Sequence, residues 1–331
     1  MTVAINSAVG VNFAEIPPLP PALRNTAQQK KLVIFVGAGV SRLFGAPSWE
    51  EMARKLLQQL IEANYLSYAE SSQLRELDPK IKISIAMDLS STNNFKPNFQ
   101  EVLKPTYEST GTAYQDLYSI GTPIVTTNYD DFLDQIAESQ LPVQLKAEAG
   151  TKAVDQSGEV PLPLARRVYF RREDLRMENL QPGNVLHLHG SMRDITSMVL
   201  TTKDYMEHYN NPIVSDFLRE LFASKTILFI GYGLDEEEIL GPILRSRKSN
   251  GSKSQSENHY RLFPRYSHEG GLFQLLRRYY QNHCNVDLID FCIDKRDHRQ
   301  LSDVLRRWAS ELKPTSEFLD KIKTIDEALS G

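Results

Sequence analysis

The chain has 331 residues, enough for one large domain or two ordinary ones, and its 41% hydrophobic and 24% charged residues describe a globular protein. A net charge of −4 and a pI near 6.0 give no global attraction to nucleic acid or acidic membranes, so sequence-specific nucleic-acid binding is not expected. No run of eighteen apolar residues occurs, and no basic segment leads into an apolar one at the N-terminus; a membrane span and a secretory signal are not expected, and the cytoplasm is.

Residues 1–29 carry a proline cluster, Pro17, Pro18, Pro20 and Pro21, which suits an arm or polyproline II segment that packs on a neighbouring subunit. Leu32 to Val36 form a continuous β-branched apolar run, the pattern of a strand buried on both faces of a parallel sheet. Gly37, Ala38 and Gly39 follow as a turn whose bare N–H groups suit a pyrophosphate, and Ser41 adds a hydroxyl; a glycine turn without ligand is the alternative. Ser48 caps a helix that has Glu50 and Glu51 in its first turn and Met52, Leu56, Leu60 and Ile61 on one face. From about 67 to 119 the patterns are helical and no buried strand is evident, which predicts a small inserted helical subdomain.

Strand, polar loop and helix recur at GTPIVTTNYDDFLDQ, at NVLHLHGSM over 184–192, and at KTILFIGYGLDEEEIL over 225–240. LPVQLK at 141–146 suits a further strand, 248–258 a flexible loop, NVDLIDFCI the final strand and SDVLRRWASELK the final amphipathic helix. This alternation predicts an α/β fold with a doubly wound, Rossmann-like parallel sheet, whose ligands bind at the carboxyl ends of the strands. Arg166, Arg167, Arg171 and Arg172 read as a solvated strand edge. Cys284 and Cys292 fit neither a disulfide framework nor a zinc knuckle.

A nicotinamide dehydrogenase needs a third loop glycine and an acid at the end of the next strand. Arg42 stands in place of the former, and residues 50–64 are helical where the latter should fall. No Gly-Lys-Ser/Thr follows the loop, so a P-loop nucleotidase is excluded too.

GAGVS at 37–41 with GAPSW at 45–49, TTNYD at 126–130, LHGS at 188–191 and IGYGLDE at 230–236 stand in the order of the sirtuin-like family, which the chain resembles over roughly residues 31–295. The resemblance implies that Gly37, Ala38, Gly39 and Ser41 hold an NAD diphosphate and that Asn128 and Asp130 contact the reacting ribose and nicotinamide. Thr127 replaces the family's Gln in that binding loop, His189 is the catalytic imidazole, and Gly231 and Gly233 lie near the adenosine. No cysteine lies between His189 and Gly231, so the family's zinc module is absent and no metal is expected.

With LTTKDY at 200–205, the chain is more similar to the zinc-less bacterial sirtuin-like proteins of antiphage defence. That likeness implies a cytoplasmic NAD hydrolase that depletes NAD, controlled by homo-oligomerisation or by a partner such as a HerA-type ATPase, an Argonaute or a nucleotide-sensing subunit. A protein deacylase or ADP-ribosyltransferase and a non-catalytic NAD or ADP-ribose sensor are the alternatives. The organisation expected is an arm over 1–29, an NAD-binding catalytic domain over 30–295, and a C-terminal helix and tail over 296–331. Neutral imidazole at His189 suits a general base near pH 7, and His187, two residues away along a strand, must face the other way.

Overall fold

The computed structural model describes residues 15–107, 109–139, 167–233, 239, 241, 243 and 259–312. Its centre is strand β1 (Leu32–Val36), which is paired on both sides and has all five side chains buried because packed helices cover both faces of the sheet. Alternation then sorts the side chains. Leu32, Ile34 and Val36 enter the core on one face of the sheet, while Val33 and Phe35 enter the core on the other.

Helices α1 (Pro21–Gln28), α2 (Ala38–Arg42), α3 (Trp49–Glu62), α4 (Tyr68–Gln73), α5 (Pro79–Thr92), α6 (Phe99–Leu103) and α7 (Ala113–Ser119) precede strand β2 (Ile124–Thr126) and helix α8 (Phe132–Ser139). Strands β3 (Val168–Tyr169) and β4 (Val185–His187) lead to α9 (Thr202–Asn210), α10 (Pro212–Ser224) and β5 (Thr226–Ile230). The described chain continues with β6 (His259–Arg265), α11 (Gly270–Tyr279), β7 (Val286–Cys292) and α12 (Gln300–Leu312). The described strands form one parallel sheet in the order β3-β4-β2-β1-β5-β6-β7. After β1 the chain builds outward through β2, then returns past β1 to add β5. The switch point at β1 is where an open α/β sheet leaves a crevice beyond its carboxyl ends.

Three cores result. On one face α7, α8 and α12 bury Tyr114, Leu117, Leu133, Leu305 and Trp308 against the sheet, and on the other α10 buries Val214, Phe217, Leu218 and Leu221. The third lies over the strand ends, where α3, α5 and α6 pack Leu56, Leu60, Ile83 and Val102 around Tyr129, Met198 and Leu200. This helical unit therefore starts at α3, earlier than the insertion predicted at 67–119, and α7 belongs to the sheet. Ser48 caps α3 as expected, in a capping box with Glu51 that holds the Glu51 carboxyl down at about 2, chiefly through the Ser48 backbone and hydroxyl hydrogen bonds.

Other expectations change. Residues 15–28 pack into the body rather than extending as an arm: Leu23 is fully buried, and Trp308 on α12 donates its indole N–H to Pro17 O at 2.9 Å. The prolines set the entry into α1, with Pro21 at its first turn, while apolar Leu19 and Leu23 fill the core. Strand β6 adds to those predicted, and β3 stands where the arginine-flanked strand edge was expected. Arg167 and Arg171 flank β3 at the sheet edge, and Arg171 pairs with Asp194 at 3.4 Å. The strand expected at 141–146, Arg166, residues 1–14, the loop at 248–258 and the tail from 313 lie outside the described residues. Among the described residues no helix is long and apolar enough to cross a membrane.

Trp308→Ala removes a fully buried ring and its bond to Pro17, and should destabilise the fold by about 3–5 kcal/mol in urea unfolding.

Candidate functional site

The loops that follow β1, β2, β4 and β5 meet the N-terminal ends of α3 and α5 around one pocket of about 410 Å³. Its walls include Ala38 and Ser41, then Thr127, Asn128 and Asp130, then His189, and finally Gly231 and Gly233. Residues that stood far apart in the sequence are thus gathered at the predicted end of the sheet.

The glycines after β1 act differently from the expectation. Gly37 N–H donates to Ile230 O at 2.9 Å and Gly39 N–H to Gly231 O at 2.8 Å, so neither amide is left for a diphosphate. A Cβ on Gly37 would lie 2.7 Å from Gly231 O, and one on Gly39 would lie 2.8 Å from Gly231 Cα. Close packing of two loops accounts for both residues. Gly231 itself has φ +62, and its own Cβ would meet Val40 N at 2.6 Å. What faces the pocket from the first loop is Ala38, at the first turn of α2, and Ser41.

Asn128 is anchored from three sides. Its carboxamide nitrogen donates to Gly37 O at 3.1 Å and lies 3.4 Å from the Tyr114 hydroxyl, its N–H donates to Thr126 Oγ1, and its C=O meets His187 Nδ1 at 2.9 Å. With the nitrogen held inward, the carboxamide oxygen is the end left for a ligand. Asp130 accepts from Ser41 Oγ at 2.5 Å, and Ser41 also meets the Tyr114 hydroxyl at 2.8 Å. Burial raises the Asp130 carboxyl to about 6, against the lowering effect of the Ser41 hydrogen bond.

The two histidines diverge as the strand period requires. His187 turns to α8, where its Nε2 lies 2.7 Å from Asp134 Oδ1, and both side chains are buried. Burial opposes charge on this imidazole, but Asp134 and the Asn128 carbonyl outweigh it and the pKa is raised. Arg193 Nε, 3.2 Å from Asp134 Oδ2, completes the pair. His187 positions the Asn128 backbone and does not line the pocket.

His189 turns to α9. Its Nε2 meets the Tyr209 hydroxyl at 2.6 Å, and its Nδ1 meets Tyr205 at 3.4 Å. Burial, with the nearby His208 and Lys80 charges, holds its pKa well below 6.5, so the imidazole is neutral at pH 7. Lys80, from the first turn of α5, lines the same pocket with its Nζ 4.0 Å over the Tyr205 ring. Trp49, at the start of α3, packs edge-on against Tyr129 and near Tyr205.

Residues 122–289, half of the chain, match the SIR2-like domain family. The chain belongs to that family. It is also similar to Defense-associated sirtuin 2 of Bacillus subtilis, 25% identical over 222 residues that cover 66% of this chain and 19% of the relative. The chain thus matches about a fifth of that protein's length.

The SIR2-like match begins at β2, so the β1 loop and the helical unit lie outside it, yet both build the pocket walls. Tyr114, Trp49, Lys80, Tyr205 and Tyr209 were not assigned roles from the sequence. Two of them had a signal: Trp49 as the last residue of GAPSW, and Tyr205 as the last residue of LTTKDY, whose Thr201 caps α9 in a capping box with Asp204. Tyr232 packs on Phe35 and Phe229 as well as lining the pocket. Among the described residues no group of three or more His, Cys, Asp or Glu is placed to hold a metal ion.

The Asp134–His187 pair sets a pH dependence. A raised imidazole pKa contributes stability that is full below about pH 6.5 and is lost as pH rises through the folded value. Asp134→Asn should cost about 3–5 kcal/mol at pH 6, with a smaller deficit at pH 8.5, in urea unfolding at both pH values.

Proposed function

We propose that this SIR2-like protein hydrolyses NAD to nicotinamide and ADP-ribose. The observation that carries the reading is the convergence of Asn128, Asp130 and a neutral His189 on one pocket at the switch point of a dinucleotide-binding type of sheet. These residues fit that substrate. Asp130 offers a carboxylate to a cationic pyridinium and to the positive charge that develops on the ribose, Asn128 offers a fixed carboxamide oxygen, and Ala38 brings the first turn of α2 to the wall.

In the overall reaction the ribosyl carbon–nitrogen bond breaks with its electron pair going to the ring nitrogen. Water oxygen bonds to the same carbon, and one proton passes to His189 and on to solvent. The Tyr209 hydroxyl at 2.6 Å from Nε2 and the Tyr205 hydroxyl at 3.4 Å from Nδ1 hold the imidazole ring in place. His187 and Tyr114 act one step back by holding Asn128 in register. The site orients its groups and needs no strong general acid, since the leaving group departs neutral.

A defence role follows from the likeness to Defense-associated sirtuin 2. Unrestrained NAD hydrolysis would harm the host, so we place activity under the control of assembly, through a homo-oligomer or a partner protein such as a HerA-type ATPase, an Argonaute or a nucleotide-sensing subunit.

Chromatographic detection of nicotinamide and ADP-ribose, with and without an acylated peptide and candidate partners, tests the reading. Asn128→Ala and His189→Ala should each lower turnover by about 10²–10⁴-fold. NAD that stays intact under every activating condition, or is consumed only with the peptide, would overturn it. The pH profile offers a second test. Asp130 must be ionised and titrates at about 6, whereas His189 is already neutral there, so the rate should rise through pH 6. Asp130→Asn should lower the rate and remove that acidic limb.

A further inference from the structure

We infer that the groove between α3 and residues 95–106 is a second ligand site, one that takes a nucleotide by its phosphates and its base. The site stands apart from the hydrolase reading, because the groove shares no lining residue with the pocket that holds Asn128 and His189. Its volume is about 770 Å³, within the range that small-molecule sites occupy.

The walls are built from side chains that bond across the groove. Beyond α5, Asn94 takes φ +51 and Phe95 N–H returns to Ser90 O at 2.8 Å, a turn that sets Phe95 and Lys96 in the wall. Asn98 then caps α6 and exchanges two bonds with Gln59 on α3. Its N–H donates to Gln59 Oε1 at 2.8 Å, and its carbonyl accepts from Gln59 Nε2 at 3.2 Å. At the other end of α6, Lys55 Nζ donates to the carbonyls of Glu101, Val102 and Lys104 at 3.2, 3.0 and 3.2 Å. The ammonium thus covers the carbonyl end of α6, which would otherwise repel an anion.

The remaining cations are available to a ligand. Arg54 and Lys96 line the groove, are exposed, and form no ion pair with a described residue, while Lys104 meets Glu101 at 3.5 Å with both side chains largely in solvent. Against these three and Lys55 stand two lining carboxylates, Glu62 and Glu101, and Glu62 already accepts from Gln58 Nε2 at 2.8 Å. The groove is therefore positive in a chain whose net charge is −4. Burial, and after it the Arg54 charge, lowers the Lys55 pKa, a direction that an arriving anion would reverse. Guanidinium and ammonium groups suit phosphate oxygens. Phe95 adds what a bare phosphate does not need, a half-buried ring held edge-on to Tyr65 at 5.7 Å, which suits stacking by a nucleobase. Glu62 and Glu101 stand among the cations and oppose a long run of phosphates, so the groove suits one nucleotide better than a nucleic-acid strand.

Calorimetric titration of the full chain with ATP at physiological ionic strength tests the site without any catalytic readout. Arg54→Ser and Lys96→Ser should each weaken binding by about 10-fold, and Phe95→Leu by a similar factor. Lys203→Ser, which removes an exposed cation on α9 outside the groove, should leave the affinity unchanged. Tripolyphosphate and adenosine should each bind more weakly than ATP. Thermal unfolding checks that every variant keeps the fold. Failure of ATP to bind, an affinity untouched by Arg54→Ser and Lys96→Ser, or an equal loss in Lys203→Ser would overturn the site. Tripolyphosphate that binds as tightly as ATP would overturn the nucleotide as its ligand, and a short single-stranded oligonucleotide that binds more tightly than ATP would replace it with nucleic acid. Each of these results leaves the hydrolase reading in place, and intact NAD in the assays above leaves this site in place.

Discussion

Two loops touch backbone to backbone at the centre of this molecule, and the rest of the pocket is hung from that contact. The turn after β1 lies so close to the turn after β5 that Gly37, Gly39 and Gly231 leave no room for a Cβ. Two hydrogen bonds, from Gly37 N–H to Ile230 O and from Gly39 N–H to Gly231 O, tie the turns together. The contact also fixes the Gly37 carbonyl, which receives the Asn128 carboxamide, so the orientation of a reacting-end residue is set by packing between strands β1 and β5. Glycine here serves geometry first, and ligand binding follows from it.

Around that scaffold the site distributes charge unevenly. Asp130 lies among Ser41 and Tyr114, partners that stabilise a carboxylate in a setting that otherwise disfavours it, and its titration is brought to about 6. Beside Asp134, behind the wall, the charged form of His187 is favoured and its pKa raised, while His189, only two residues on, is held well below its ordinary value in front of it. Identical side chains thus acquire opposite protonation preferences because a strand alternates its faces, one toward the Asp134 carboxylate on α8 and one toward tyrosines and a histidine on α9.

Local pattern made much of this legible. The apolar run of β1, the strand-loop-helix rhythm around TTNYD and IGYG, and the histidine before Gly190 needed only neighbours in sequence to be read. Gly190 carries φ +79, and a Cβ there would meet Ser197 O at 2.2 Å, a backbone requirement that the LHGS motif records directly. Strand β6 was harder, because HYRLFPR mixes charged and proline residues into a strand whose burial does not alternate, with Arg261, Phe263 and Pro264 half-buried. The proline-rich segment before α1 reads as an arm, yet Leu19 and Leu23 bury against α12, a helix nearly three hundred residues away. Tyr114, Lys80 and Tyr209 carry no local signature at all. Their roles exist only because tertiary packing brings α7, α5 and α9 to the ends of the strands.

The helical unit is therefore part of the site and not an ornament on it. Trp49, Met52, Lys80 and Leu103 line the pocket from α3, α5 and α6, and the same unit holds Tyr129, Met198 and Leu200 from the β2 and β4 loops in its core. Those loop residues neighbour Asn128 and His189, so any shift of the helices relative to the sheet displaces the walls and the strand-end loops together. Tyr129 makes the coupling concrete: its hydroxyl bonds to Val199 O at 2.5 Å, while Val199 N–H bonds back to His189 O at 2.9 Å. Through that chain the loop bearing Asn128 and Asp130, the loop bearing His189, and the helices bearing Lys80 and Trp49 form one mechanical unit. An assembly contact on the helices would have a direct route to the reacting groups without touching the sheet.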